Sequence, residues 1–376
     1  MKKLLTIALV LILVVMSVAC SKQEQEVTPS GSTGSELADF TEVKIGVISN
    51  TTAEDGGWGT SLYNSVKKVK SELSLRDDQI VWIESIYDGT EDVDNMVDQL
   101  AREGCNIIMA HSAGYVDQLR NLASKHKDVY LSGYECPVEG FSNYAMYSIN
   151  DEAASFLCGF ISAKMSDSNN IGYIGNMPTN DLICCLDAFA LGAKYANKDA
   201  IVKIVWINSW YDPATEKEAA NTLLGSGYNV IGYMGSTASV AQACSDHGAY
   251  TTGMYIDMKD YAPDAVLTSH VFDWTLIIKR MLEMASSGSW SSDPIIYGFK
   301  DGAAKAADLN TAIVPQNIAE EYEAVRQKLI DGEIEVFAGP LYDNMGTLRV
   351  KEGESLSPTD LIYIDFLVDN IDGLIP

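Results

Sequence analysis

Two short loops carry the side chains best suited to holding a flat molecule. Asp55-Gly56-Gly57-Trp58-Gly59 stands directly before one helical pattern, and Asn208-Ser209-Trp210-Tyr211-Asp212-Pro213 before another. Glycines let the backbone turn and approach a ligand closely, and a Trp among them has little local core to fill. The plainer alternative is a Trp that packs back on its own domain. Two facing aromatics would sandwich a planar ring while polar groups read its edge. A nucleobase suits that arrangement; a sugar ring also stacks on Trp, and these residues alone do not choose.

Catalytic chemistry is poorly represented. The chain holds no GxSxG elbow, HExxH, Walker GxxxxGK[ST] or GxGxxG opening a helix. His126 and His247 sit in polar helix ends, and His111 and His270 have no Ser or Cys partner that the sequence nominates. No pair of cysteines has zinc-ligand or CxxC spacing. A binding protein is expected, with no catalytic residue, metal or cofactor.

The elements that must position these loops alternate along the chain. Short β-branched runs at 43–49, 80–86, 106–110, 129–134, 144–149, 171–175, 201–208, 229–234, 250–255 and 265–271 read as strands, with amphipathic helical stretches between most of them. Asp212-Pro213 followed by Glu216 is a helix start, with Asp as cap and Pro in the first turn. Strand, helix, strand at this spacing predicts an α/β protein with parallel sheets. Such sheets present ligands at the carboxyl ends of their strands. About 330 residues of mature body suit two lobes, so the cleft between them is the expected site. The loops at 50–60, 111–115, 176–181, 208–212, 235–239, 255–257 and 269–274 would face it.

The ends of the chain speak to its place in the cell. Lys2 and Lys3, an apolar run over 4–15 and Ser17-Val18-Ala19 read as a secretory signal peptide over 1–19, and Cys20 directly after it resembles a bacterial lipobox cysteine. The other reading is an ordinary signal cut near Ala19 with an incidental cysteine. Residues 20–42 are rich in Ser, Gly, Thr, Glu and Gln and read as a flexible tether. A net charge of −26 argues against nucleic acid or anionic lipid headgroups as partners. Six further cysteines could pair outside the cytoplasm, but their apolar settings favour buried thiols.

The segments Asp55-Gly-Gly-Trp58, Asn170-Ile-Gly-Tyr-Ile-Gly175 with Pro178, Ala188-Phe-Ala-Leu-Gly-Ala-Lys194, 202–213 (VKIVWINSWYDP), Ala265-Val-Leu-Thr-Ser269 and 366–376 (FLVDNIDGLIP) resemble, in order and spacing, the basic membrane protein family of substrate-binding lipoproteins of ABC transporters, which includes purine-nucleoside and purine-base receptors. The resemblance implies a type I periplasmic-binding fold of two Rossmann-like lobes joined by a three-strand hinge. Lobe one would take 43–147 plus about 271–310, lobe two 150–267 plus about 313–345, and 346–376 would pack on the lobes. Crossings are expected near 146–151, 268–273 and 310–315.

The resemblance also implies a purine between Trp58 and Trp210, with Asp55 as a reader of the base edge and Gly57, Tyr115, Ser209, Tyr255, Asp257, Phe272 and Trp274 as further ligand-binding residues. Tyr255 and Phe272 stand where nucleoside-binding members commonly carry an acid and a lysine, which favours a free base such as adenine over a nucleoside. Implied partners are the purine, an ABC permease and its ATPase, and the membrane through the lipid on Cys20 only, for a monomer. A ligand-sensing receptor domain for a nucleoside or sugar, and a nucleoside hydrolase using Asp55, Asp212 or Asp257, are the rival readings.

Overall fold

The computed structural model describes residues 40–376. The expected signal peptide, Cys20 and most of the expected tether lie outside the described residues. The tether reading fails at its end: Phe40 packs on the core, and its carbonyl accepts the Val43 amide at 3.1 Å.

The strands form where apolar β-branched runs can be buried on both faces. In the first lobe these are β1 (Ile45–Ser49), β2 (Ile80–Ile83), β3 (Ile107–His111), β4 (Tyr130–Tyr134) and β5 (Tyr144–Asn150); in the second, β6 (Asn170–Gly175), β7 (Ile201–Trp206), β8 (Val230–Met234), β9 (Tyr250–Tyr255) and β10 (Val266–Phe272). Two short strands follow, β11 (Ile295–Gly298) and β12 (Ala304–Ala306). The first sheet runs β11-β5-β4-β3-β1-β2 and is parallel throughout. The second runs β12-β10-β9-β8-β6-β7 and ends on residues 371–372; only β12 is antiparallel in it. Each lobe thus repeats the doubly wound order 2-1-3-4-5.

Helices cover the sheets with one apolar face each. Asp92–Arg102 buries Val93, Val97 and Leu100 at helical spacing. The helix Pro213–Gly225 starts as its sequence predicts, with the Asp212 carboxylate accepting the Thr215 amide at 3.0 Å. Glu152–Met165 and Asn180–Ala196 are buried nearly all round and touch backbone to backbone. A Cβ on Gly159 would lie 1.8 Å from the Phe189 carbonyl oxygen, and one on Gly192 1.9 Å from that of Phe156. Any side chain there would force the helices apart.

The chain passes between the sheets three times. It leaves β5 for Glu152–Met165, leaves β10 for the lobe-one helix Thr275–Ser286, and passes from β11 to β12 over 299–303. The third passage therefore precedes the 310–315 expected from sequence, and lobe one's returning segment ends near 298, not 310. All six described cysteines are free and buried. No helix of the described residues is long and apolar enough to cross a membrane.

Candidate functional site

In a doubly wound sheet the crevice opens where the strand order reverses, here beyond β1 and β3 in one lobe and beyond β6 and β8 in the other. The residues at those four ends line a single cleft cavity: Asn50 and Thr51 after β1, Ser112 and Ala113 after β3, Asn176 after β6 and Ser236 after β8. Trp58, Tyr134, Asp181, Trp210 and Tyr255 complete it. Its free space, open mouth included, is about 470 Å³.

Trp58 is a wall of this cavity, and it is braced from behind. Its ring stacks on His111 at 3.9 Å and 10°, and its Nε1 donates to the His111 carbonyl at 3.4 Å. Tyr134, Tyr255, Phe272 and Trp274 meet it edge to face at 4.8 to 6.3 Å. His111 Nδ1 is held at 2.8 Å from the Tyr147 hydroxyl, which also lies 3.2 Å from the Ala110 carbonyl. Burial holds that imidazole neutral, well below its usual titration range. Tyr255 takes a left-handed backbone, φ +67°, at the end of β9. That conformation costs a residue other than Gly about 1–3 kcal/mol and is kept where packing over-determines it; here it turns the ring onto Trp58 and Phe272.

Trp210 stands on the other lobe, 39% exposed. Its carbonyl accepts from Asn176 Nδ2 at 2.9 Å, and Asn208 at φ +52° turns the chain toward it. The lobes touch where the first glycine loop meets the turn after β8: a Cβ on Gly57 would fall 2.6 Å from Ser236 Cα. The cleft is closed at this edge.

Several expected ligand residues do other work. The Asp55 carboxylate accepts the amides of Gly57, Gly59 and Thr60 at 2.8 to 3.0 Å, so it is engaged at the start of the helix Trp58–Glu72 and is not among the residues that line the cleft. Tyr115 is buried beneath lobe one, its hydroxyl on the Ile86 carbonyl. Ser209 does not line the cleft; its amide donates to the Asn176 carbonyl at 3.2 Å. Phe272 and Trp274 form a second layer behind Trp58, with Trp274 Nε1 donating to Ser61 Oγ at 2.9 Å. Asp257 lies in a separate groove with Asp273, Lys68 and Lys305. There Lys305 and Lys68 contact the Asp273 carboxylate at 2.8 and 2.9 Å. Burial alone would raise its pKa, but these ammonium groups and Thr275 hold it below the usual range.

Sequence reasoning missed Asn50, Thr51, Ser112, Ala113, Tyr134, Asn176, Asp181 and Ser236. Seven of the eight fall inside loops nominated from strand ends; Tyr134, the last residue of β4, carried no signal. Among the described residues, Asp181 is the only carboxyl lining the cleft, and no Lys, Arg or His lines it.

Two lobes of one strand order, crossed three times and sharing a cleft at both switch points, define a type I periplasmic-binding-protein fold. A solved solute-binding protein of an ABC transporter system from Aeropyrum pernix K1 has the same fold, with a TM-score of 0.66 at 16% identity, over 79% of this chain and 94% of that one. The family described as "Bmp: ABC transporter substrate-binding protein PnrA-like" matches residues 42–338, and the chain belongs to that family. Among curated relatives, a purine-binding protein of Brucella abortus (strain 2308) is 29% identical over 89% of this chain and 94% of its own length. A putative ABC transporter glucose-binding protein of Haloferax volcanii is 27% identical over 80% of this chain and 74% of its own.

Proposed function

We propose that this solute-binding protein takes a purine between Trp58 and Trp210 and presents it, lobes closed, to an ABC permease and its ATPase. The carrying observation is that two tryptophans from opposite lobes line one cavity. A ligand favours closure only through its difference in affinity for the open and closed states, so a ring gripped from both sides is what drives the trap. The purine-binding relative supports the same ligand class.

A free base suits the cleft better than a nucleoside. A buried ribose hydroxyl left unpaired costs about 1–3 kcal/mol. The carboxylates nearest in sequence to a ribose-reading role, Asp257 and Asp273, belong to another groove, and Asp273 is already engaged by two lysines. The protein works outside the cytoplasm as a monomer, attached through lipid on Cys20. It binds its ligand without turning it over.

The test is mass spectrometry of the small molecule released on denaturing the freshly purified soluble body. A free purine base is expected. A sugar, which the Haloferax relative's name makes the natural competitor, or a nucleoside released intact would overturn the ligand assignment.

A further inference from the structure

Among the described residues, the cleft is lined by one carboxyl and no cationic side chain. Asp181 lies in the first turn of the helix Asn180–Ala196, and its Oδ2 accepts from the Tyr134 hydroxyl at 3.3 Å. Behind it, toward the hinge, a second small cavity is lined by Asp181 together with Glu135, Asp151 and Glu152. Among the described residues, no Lys, Arg or His lines either cavity. Four carboxyls gathered around one space of low dielectric cannot all ionise without a counter-charge.

The groups facing Asp181 from each neighbouring element all leave it without a cation. The end of β4 supplies the phenol of Tyr134 and the carboxyl of Glu135, the start of the helix after β5 supplies Asp151 and Glu152, and the end of β9 supplies the phenol of Tyr255. On its own helix the buried Cys185 thiol donates to Asp151 Oδ2 at 2.8 Å. The His270 imidazole stands 3.3 Å from Asp151 and is buried, which drops its pKa to about 3. Burial pushes the Asp181 carboxyl up, and it pushes that of Asp151 to about 8.

Resting on the purine reading above, we propose that Asp181 is the residue that reads the edge of the base, and that it does so as a neutral carboxylic acid. In that form the side chain offers one O–H donor beside one C=O acceptor. It pairs with a purine edge that presents an acceptor beside a donor: the ring nitrogen and 6-amino group of a 6-aminopurine, or the 6-oxo oxygen and ring N–H of a 6-oxopurine. An ionised carboxylate would instead select an edge with two adjacent donors, as on a 2-amino-6-oxopurine. Phosphorylated or anionic purines are excluded, because no cation in the cleft offsets their charge.

The side chain of Asn has the same shape and the same donor-acceptor pair as the neutral acid, which gives a decisive comparison. Calorimetric titration of wild type, Asp181→Asn and Asp181→Leu with adenine, run from about pH 5.5 to about pH 8.5, is the experiment. The neutral acid predicts that Asp181→Asn keeps affinity within about threefold at the acidic end while Asp181→Leu loses about tenfold or more. It also predicts that wild-type affinity falls as pH rises through the carboxyl's raised pKa, whereas that of Asp181→Asn stays flat. Thermal melting of each variant without ligand separates misfolding from lost recognition, and the pH profile of the wild type stands independently of any variant. If Asp181→Asn falls as far as Asp181→Leu, with guanine the tightest ligand of the wild type, the carboxyl works ionised and the proposal is overturned. Equal affinity in all three proteins overturns it too, while leaving the purine reading intact. A wild type that binds glucose and no purine overturns that reading, and this inference with it.

Discussion

Gly57→Ala adds one methyl group where the glycine loop of lobe one meets the turn after β8. The new Cβ would lie 2.6 Å from Ser236 Cα, about 0.8 Å short of the 3.4 Å at which ordinary contact begins, and the obstacle is backbone that no rotamer change moves aside. Overpacking of this kind costs about 1–3 kcal/mol in a fixed structure. A two-lobed trap escapes the cost by opening, so the ligand-free protein stays folded. The bound state needs both lobes on the ligand and carries the full penalty. A penalty of about 1–3 kcal/mol on the closed form alone weakens binding by about 5- to 150-fold. Calorimetric titration should therefore show a loss in that range, with the ligand-free melting temperature nearly unchanged and small-angle scattering shifted toward an open form. Wild-type affinity in a well-folded Gly57→Ala would refute the reasoning, since it would mean that closure at this edge contributes nothing.

Trp58→Ala and Trp210→Ala should each weaken binding by about tenfold or more, roughly 1.4 kcal/mol by calorimetry. They should differ in stability: Trp58, boxed by five rings, should cost about 3–5 kcal/mol of unfolding free energy, while half-exposed Trp210 should leave urea unfolding almost untouched. Asp273→Asn should lower the melting temperature at neutral pH. The Asp273 carboxyl titrates below its unfolded value, so its contribution is present above that value and is lost as pH falls; the gap between variant and wild type should close below about pH 4. Cys20→Ser should give uncleaved or released protein, and intact mass spectrometry of the wild type should find a mature chain that begins at residue 20 with two or three acyl chains, since one chain anchors only marginally.

The order of elements was legible because strands buried on both faces must be apolar and β-branched, and the runs at 43–49, 106–110 and 250–255 have no other use. The strands 295–298 (IIYG) and 304–306 (AKA) were not, because edge strands of three or four residues carry too few side chains to show a pattern. Their loss misplaced the third crossing by about ten residues. At the site, the loops were legible and the individual side chains often were not. An Asp ahead of two glycines and a Trp reads equally well as a ligand group and as a helix cap; only the four-fold pairing of Asp55 with its own helix separates the two. Tyr134 belongs to the cleft because lobes far apart in sequence close over it, a relation that no local pattern records.

The most direct measurement of the central claim is side-by-side calorimetric titration of the soluble body with adenine, hypoxanthine, guanine, adenosine, inosine and glucose at neutral pH. A free purine base should bind about tenfold or more tightly than its own nucleoside, with no detectable heat from glucose. A nucleoside that binds tenfold more tightly than every free base, or glucose that binds while the purines do not, would contradict it.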